Sequence, residues 1–277
     1  MVRQGEGQKG CKRRRIWAAV WMSALAVTAA LAAGILLPEQ TEDLAKKSGT
    51  VVDKGHADQG YIYVKHKASK KRLKLRISSG NQTYTYDLNQ NGEYEVFPLQ
   101  MGSGSYKVRV FEQVKGSQYS GVSSISFSAN IEDENLPYLY PNQYVCYDGD
   151  TKAVEEAASI CSGLASDQKK KDAVERFVTG KFMYDYMTAL LVQDAGAYLP
   201  DVDKTLRSRT GICFDFAALV CCMLRTQGIP TKLVIGYADN AYHAWNQAYI
   251  DGDWQLIDTT AKITGTTVMR YTPERWY

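Results

Sequence analysis

The dipeptide Asp251-Gly252 sets the strongest constraint on how this chain folds. It separates two short segments rich in β-branched and aromatic residues, HAWNQAYI (243–250) and DWQLID (253–258). Asp-Gly between two such segments is typical of a β-hairpin with a two-residue turn. Because the turn fixes the pairing register, side chains of both strands can be assigned to one face or the other.

This register places His243 and Asp258 on the same face of the predicted hairpin. Trp245 is then opposite Asp258, and His243 shares the face of Trp245 because side chains alternate along a strand. His243 and Asp258 become diagonal neighbours, about 7–8 Å apart at the backbone and within side-chain reach. A register shift of one residue would separate them. An aspartate beside a histidine orients the imidazole and stabilises its protonated form.

Cys213 begins a segment that is predicted to be a helix. Phe214–Gln227 is largely apolar, and Gly228 and Pro230 follow it, as is typical of a helix end. A cysteine at the first turn of a helix lies beside unsatisfied N–H groups and the positive end of the helix dipole. Together with a nearby imidazolium, this position favours the thiolate. Taken alone Cys213 would be more typical of a buried, inert thiol, but the combination indicates a nucleophile.

Two stretches around these residues resemble the transglutaminase-like superfamily. They are TGICFDFAALVCCMLRTQGIP and GYADNAYHAWNQAYIDGDWQLIDTT. The matching pieces are Gly-x-Cys at a helix start, Gly-Ile-Pro, Gly-Tyr, His-Ala-Trp and Trp-x-x-Ile-Asp. Upstream, FMYDYMTA is similar to the Tyr-Asp segment that often precedes the catalytic helix of the family. The resemblance covers about residues 140–260, and the common Asp-Pro-Thr of the family is Asp-Thr-Thr here.

The resemblance implies a papain-like fold with a Cys-His-Asp triad. Cys213 would be the nucleophile, His243 the base and acid, and Asp258 the residue that orients the imidazole. The implied reaction is attack on an amide carbonyl, which forms a thioester that passes its acyl group to an amine or to water. The sequence does not choose between transamidation and amide or peptide hydrolysis.

Three aromatic residues are candidates for the wall of a substrate pocket, with ordinary core packing as the alternative for each: Tyr184, Tyr186 and Trp245. A protein or peptide is the implied substrate, with cell-wall and cell-surface molecules both left open. No cofactor and no metal ion is expected, because a thiol–imidazole mechanism needs neither and no paired Cys-x-x-Cys, calcium-loop or phosphate-loop pattern is present.

The order of predicted elements indicates an α+β fold with a papain-like transglutaminase core. Helices followed by an antiparallel sheet are expected over residues 136–277. Residues 60–135 instead show short alternating segments between turn signals, and predict a small all-β module of immunoglobulin-like character that acts as a spacer or binding module. Residues 38–59 are polar and without periodicity, and predict a linker.

The N-terminus predicts a membrane anchor. Residues 16–37 form a run of 22 uncharged residues, which as a helix would extend about 33 Å and cross a bilayer core. Residues 1–15 carry six basic and one acidic residue, and predict a cytoplasmic tail with the catalytic domain outside the cell. A cleavable signal peptide is the alternative, with AALAA as its cleavage site, but the length of the run favours a retained anchor.

Charge and cysteine content narrow the remaining function classes. Outside the N-terminal tail the chain has 27 basic and 29 acidic residues, so the electrostatic footprint of a nucleic-acid-binding protein is absent. A disulfide between Cys146 and Cys161 is left open. The sequence therefore predicts a membrane-anchored extracellular cysteine enzyme of acyl transfer. The alternative is a surface binding or scaffold protein that keeps the fold without catalysis.

Overall fold

The computed structural model describes residues 38–192 and 198–277. Its N-terminal part consists of strands, which a short 3₁₀ helix (Leu136–Leu139) separates from the rest. The strands are β1 (Leu44–Lys47), β2 (Thr50–Asp53), β3 (Tyr61–His66), β4 (Leu73–Ser79), β5 (Gln82–Leu88), β6 (Glu95–Pro98), β7 (Gly104–Lys115) and β8 (Gln118–Ala129).

These strands form two antiparallel sheets, with strand orders β1-β2-β3-β6 and β5-β4-β7-β8. Leu73, Leu75 and Ile77 of β4 are buried while the residues between them are more exposed, as expected for a sheet with one face on a core. Tyr86 of one sheet packs against Phe97 of the other, with ring centroids 5.1 Å apart. The two sheets therefore share a core, as a sandwich requires. The immunoglobulin-like character of this module stays a prediction.

The region predicted as a linker, residues 38–59, contains β1 and β2. Leu44 pairs with Asp53 and Lys47 with Thr50, and β2 joins this hairpin to β3. Sequence patterning missed β1 because it is a four-residue edge strand that is only half buried and carries two lysines. Short, charged edge strands are common because they discourage pairing with other chains, and they leave little periodicity to detect.

The C-terminal part has the predicted order of helices followed by an antiparallel sheet, β13-β12-β11-β14. A two-residue parallel pair, β9 and β10, lies before the sheet in the chain. The elements are α1 (Lys152–Cys161), α2 (Asp167–Lys181), β9 (Met183–Tyr184), α3 (Tyr186–Val192), α4 (Val202–Ser208), β10 (Thr210–Gly211), α5 (Cys213–Arg225), β11 (Thr231–Ala238), β12 (Ala241–Ile250), β13 (Asp253–Ile257), α6 (Thr259–Thr264) and β14 (Tyr271–Trp276).

Helix α5 is the centre of this part of the molecule. Its residues are buried from Asp215 to Arg225, which explains why the residues between these two are apolar on all sides of the helix. Asn246 of β12 donates a hydrogen bond to the carbonyl oxygen of Ala217, 2.9 Å away, and so ties the sheet to the helix. The helix ends before Gly228, which has a φ of +80°, the left-handed conformation that glycine adopts without strain.

The predicted hairpin register is confirmed. The pairs run from Ile250 with Asp253 to Asn246 with Ile257. Asp251 and Gly252 both have positive φ, 52° and 87°, as the mirror-image turn favoured in two-residue hairpins requires. Asp258 follows directly after the last pair, where it is the N-cap of α6.

The sandwich packs against the C-terminal part through tyrosine rings. Tyr84 and Tyr86 of β5 contact the ring of Tyr277, with centroids 5.7 and 6.4 Å apart. The buried side chains on both sides of the predicted boundary at residue 135 belong to one core cluster. The sandwich is therefore docked on the α+β part rather than tethered to it by a free linker.

Three free thiols of the described residues are inert by position. Cys161, Cys221 and Cys222 are free and buried, and burial raises the pKa of each, to about 11 for Cys221. The disulfide left open between Cys146 and Cys161 is not formed, because the thiol of Cys161 is free.

The predicted localisation needs correction. The predicted tail and anchor, residues 1–15 and 16–37, lie outside the described residues. Within the ranges 38–192 and 198–277, no helix has the length and apolar character needed to cross a membrane. The longest helix there, α2, has 15 residues, whereas a span needs about 20 apolar ones. This finding contradicts the prediction of a single-pass membrane protein with an extracellular catalytic domain.

Candidate active site

Cys213 is the first residue of α5. Its side chain is partly exposed and its thiol is free. The start of the helix is fixed by Asp215, whose Oδ2 accepts a hydrogen bond from the backbone N–H of Ile212 at 3.0 Å. Gly211 is needed because a Cβ there would lie 2.8 Å from the Cβ of Asp215. The residues around the cysteine thus hold its thiol at a fixed point of the surface.

Asp215 is a part of this arrangement that sequence reasoning missed. The Tyr198 hydroxyl donates to its carboxylate, 2.8 Å from either oxygen. Burial raises the pKa of Asp215, although the hydrogen bonds from Ile212 and Tyr198 oppose that effect. An acidic residue at the third position of a helix is a recognisable capping signal, but its tyrosine partner is distant in the chain and carries no pattern.

His243 and Asp258 meet as the hairpin register predicts. The imidazole Nε2 of His243 lies 2.9 Å from Oδ2 of Asp258. The other carboxylate oxygen of Asp258 accepts the backbone N–H of Ala261 at 2.9 Å, so the carboxylate is oriented by the first turn of α6. Asp258 is 4% exposed. Its orientation therefore depends on backbone geometry rather than on solvent.

Tyr271 completes the surroundings of Asp258. Its hydroxyl donates to Oδ2 at 2.8 Å, the same oxygen that His243 contacts. Tyr271 comes from β14, whose close approach to β11 is possible because Gly236 has no side chain: a Cβ there would lie 2.2 Å from the carbonyl oxygen of Thr272. The segment RYTPERWY carries no motif, so no signal in the sequence pointed to this contact.

The electrostatics favour an ion pair between His243 and Asp258. Burial lowers the pKa of His243, but hydrogen bonds with Asp258 and Cys213 outweigh it and raise that pKa to about 9. Burial acts to raise the pKa of Asp258, yet its hydrogen bond and charge interaction with His243 leave the pKa below its usual value. At neutral pH the imidazole is therefore protonated and the carboxylate ionised.

The structure brings Cys213, His243 and Asp258 together in one line of contacts. Because Nε2 of His243 is directed at Asp258, Nδ1 is the nitrogen left to face Cys213, whose side chain is near enough to raise the pKa of the imidazole. Cys213 is the first residue of α5, and the N–H groups of a first helical turn lack partners within the helix. Among the described residues no group of three or more His, Cys, Asp or Glu side chains is arranged to hold a metal ion.

Of the three aromatic candidates for a pocket wall, Tyr184 is half-buried and Tyr186 is exposed, whereas Trp245 is buried. Tyr184 pairs with Gly211 in the β9–β10 pair; burial and the nearby Cys213 raise its pKa to about 12. Tyr186 is exposed, and its ring contacts that of Tyr184 at 4.9 Å. Trp245 is 1% exposed and packs between His243 and Tyr271, so it supports the imidazole from behind and is not part of a pocket wall.

Residues 155–259 match the profile of the Transglutaminase-like superfamily. The chain contains a transglutaminase-like domain. The match includes the positions of Cys213, His243 and Asp258, so the line of contacts lies within the region that the family shares. The matched region extends from within α1 to the first residue of α6.

Comparison with individual proteins gives partial likenesses. Kyphoscoliosis peptidase of Mus musculus is 26% identical over 132 residues, which are 43% of this chain and 20% of that protein. A solved transglutaminase (TGase) structure is 27% identical over 43% of this chain and 32% of that one, with a TM-score of 0.36. A protein from Cytophaga hutchinsonii, provisionally named a cysteine protease, is 18% identical over 72% of this chain and 71% of its own, with a TM-score of 0.40. The chain thus spans only a fifth of the mouse relative.

The Tyr271→Phe variant is expected to lose activity by about tenfold, because one hydrogen bond to a charged carboxylate is removed. Since that bond lowers the pKa of Asp258, the variant should also lose activity at a higher pH on the acid side. The pH dependence of kcat/KM measures both effects. Tyr242→Phe is the matched control, since Tyr242 is an exposed tyrosine on the adjacent part of the sheet. An unchanged pH profile in Tyr271→Phe would contradict a positioning role.

Proposed function

We propose that the transglutaminase-like domain is a cysteine-dependent acyl-transfer enzyme that acts on amide bonds. The observation that supports this most is the contact line from Cys213 through His243 to Asp258. It joins a partly exposed thiol at a helix N-terminus to an imidazole that is held protonated by a buried carboxylate. An inert scaffold has no need of a buried ion pair directed at a cysteine, and such pairs are costly to bury.

The first half of the proposed reaction forms a thioester. The Cys213 thiolate attacks the amide carbonyl carbon, a C–S bond forms, and the negative charge moves to the carbonyl oxygen. The free N–H groups at the start of α5 can donate to this oxygen. The His243 imidazolium then gives its proton to the amide nitrogen, the C–N bond breaks, and an amine leaves. Asp258 keeps the imidazole oriented throughout.

The second half consumes the thioester and restores the enzyme. Water or a primary amine attacks the thioester carbonyl, and the neutral imidazole of His243 takes the proton of the nucleophile. The C–S bond breaks, which releases a carboxylic acid or a new amide and regenerates the thiolate–imidazolium pair. Hydrolysis and transamidation therefore share every residue of the first half and differ in the acceptor.

The proposal is tested by trapping the thioester. The protein is mixed with p-nitrophenyl acetate, a small activated ester, and the mass of the intact protein is measured within the first turnover. We expect one acetyl group per molecule on Cys213, discharged faster when a dansylated primary amine or hydroxylamine is present. Transfer of the label to the amine indicates transamidation, and release of acetate alone indicates hydrolysis. Absence of a Cys213 adduct in folded protein would favour the scaffold alternative.

Amide turnover is expected to decline above about pH 9, where His243 loses its proton. The pKa of His243 is raised in the folded protein, so its stabilising interaction is complete below the unfolded value near 6.5 and is lost as the pH rises through about 9. Alkylation of Cys213 by iodoacetamide needs no proton donor, and its rate should not fall in this range. Comparison of the two pH profiles is the measurement; a decline in both, or in neither, would contradict the assignment of His243 as the proton donor.

A further inference from the structure

Exposed apolar side chains are concentrated beside the candidate active site. Ten large apolar residues of the described chain are exposed, and half of them lie between positions 183 and 191. These five side chains, here named the α3 apolar surface, are 63–73% exposed: Met183, Tyr186, Met187, Leu190 and Leu191. Helix α3 buries none of its residues. A clustered apolar surface of this kind usually marks a binding site.

The arrangement of α3 makes these side chains neighbours. Residues three and four apart lie side by side on a helix. Tyr186 is therefore next to Leu190, and Met187 is next to both Leu190 and Leu191. The helix start is fixed because Asp185 accepts hydrogen bonds from the backbone N–H and the hydroxyl of Thr188, at 2.9 and 2.7 Å. These hydrogen bonds therefore fix the N-terminal end of the α3 apolar surface.

The α3 apolar surface is continuous with the surroundings of Cys213. The backbone N–H of Asp185 donates to the carbonyl oxygen of Gly211 at 2.9 Å, which ties the start of α3 to the strand that leads into Cys213. The ring of Tyr186 contacts Tyr184 at 4.9 Å, and Tyr184 pairs with Gly211, two residues before Cys213. A chain bound with a carbonyl at Cys213 would reach α3 by way of Tyr184.

We propose that the α3 apolar surface binds apolar side chains of the peptide or protein segment whose amide Cys213 attacks. The inference rests on the proposed function, and it adds a substrate class: segments that carry large aliphatic or aromatic residues next to the reacting carbonyl. A peptide fits better than a lipid surface. Helices that lie in membrane interfaces carry Lys and Arg on their polar face, whereas Tyr186–Val192 has no charged residue and the acidic Asp185 precedes it.

The test compares thiol-directed probes that differ only in their side chains. N-iodoacetyl-Leu-Leu-amide and N-iodoacetyl-Ser-Ser-amide both alkylate Cys213, and neither requires the enzyme to be a hydrolase or a transamidase. We expect kinact/KI to be at least about tenfold higher for the leucine probe, because burial of one leucine side chain is sufficient for such a difference. In the Leu190→Ser, Leu191→Ser double variant this preference should be lost while the rate with plain iodoacetamide stays unchanged.

Matched controls separate the possible outcomes. Val114→Ser with Met269→Ser removes two exposed apolar side chains far from α3 in the chain and should keep the preference. Equal kinact/KI values for the two probes in the wild-type protein would overturn the inference while leaving the proposed function intact. Absence of rapid iodoacetamide labelling of Cys213 in the wild-type protein would instead count against the proposed function. Two other results would also overturn the inference, because they would assign the α3 apolar surface to another occupant. One is a concentration-dependent dimer in sedimentation velocity that the double variant abolishes. The other is binding to phosphatidylcholine vesicles that the double variant abolishes.

Discussion

The Cys213→Ala variant is expected to lose acyl transfer by a factor on the order of 10⁶, the scale seen when the nucleophile of a triad is removed. No other free thiol of the described residues can replace it, since Cys161, Cys221 and Cys222 are buried. The fold should persist, because alanine is the best helix former and Cys213 begins α5 with a side chain that is only partly buried. Initial rates of thioester turnover, together with the thermal unfolding temperature, provide the measurement.

Cys221→Ala is the matched control for this prediction. Its thiol is fully buried and accepts a hydrogen bond from Asn246 at 3.1 Å, so the variant should unfold at a lower temperature but keep kcat near the wild-type value. The two substitutions are chemically identical and lie eight residues apart on α5. A Cys213→Ala protein that is folded and still transfers acyl groups would show that the nucleophile is elsewhere.

The Asp258→Asn variant is expected to lower kcat/KM by a factor on the order of 10⁴, the effect of the same change in a serine-protease triad. Asparagine keeps the volume and an oxygen that can accept the N–H of Ala261, so the cap of α6 is preserved. The amide that replaces the second oxygen cannot stabilise a charged His243, and an NH₂ directed at Nε2 would force the proton onto the nitrogen that faces Cys213. The pKa of His243 should fall from about 9.

Asp253→Asn is the control for Asp258→Asn. Asp253 lies at the other end of the same hairpin strand and is exposed, so its substitution should leave kcat/KM unchanged. The measurement is kcat/KM over a range of pH, with circular dichroism to verify the fold. If kcat/KM falls by less than about tenfold in Asp258→Asn, Asp258 serves only as the N-cap of α6. The proposed role of Asp258 in orienting His243 would then be contradicted.

The parts of the site that could be predicted are those set by local sequence. The Asp251-Gly252 turn fixes the register of one hairpin, and the register brings His243 to Asp258 without further information. Likewise the apolar run after Cys213, with Gly228 behind it, defines the helix that carries the thiol. Turn chemistry and helix periodicity act over a few residues, which is why a single sequence reveals them.

The parts that could not be predicted depend on contacts between distant segments. Tyr271 reaches Asp258 only because β14 returns to the edge of the sheet beside β11, and Tyr198 reaches Asp215 from the segment before α4. For Trp245, strand alternation predicted the correct face of the hairpin but not the burial of the side chain. Alternation does not indicate which residues from other segments cover that face. Periodicity identifies the sides of an element; tertiary packing decides which side remains open.

The most direct test of the account is site-resolved alkylation at pH 6, by brief exposure to iodoacetamide and mass spectrometry of the cysteine peptides. Exposure alone would make Cys213 react before the buried Cys161, Cys221 and Cys222, so the decisive comparison is between the wild-type protein and His243→Ala. If the imidazolium of His243 pairs with the Cys213 sulfur as proposed, the His243→Ala substitution should slow labelling of that sulfur at pH 6 by at least about tenfold. Labelling of Cys213 at the same rate in folded wild-type and His243→Ala proteins would contradict the proposed thiolate–imidazolium pair.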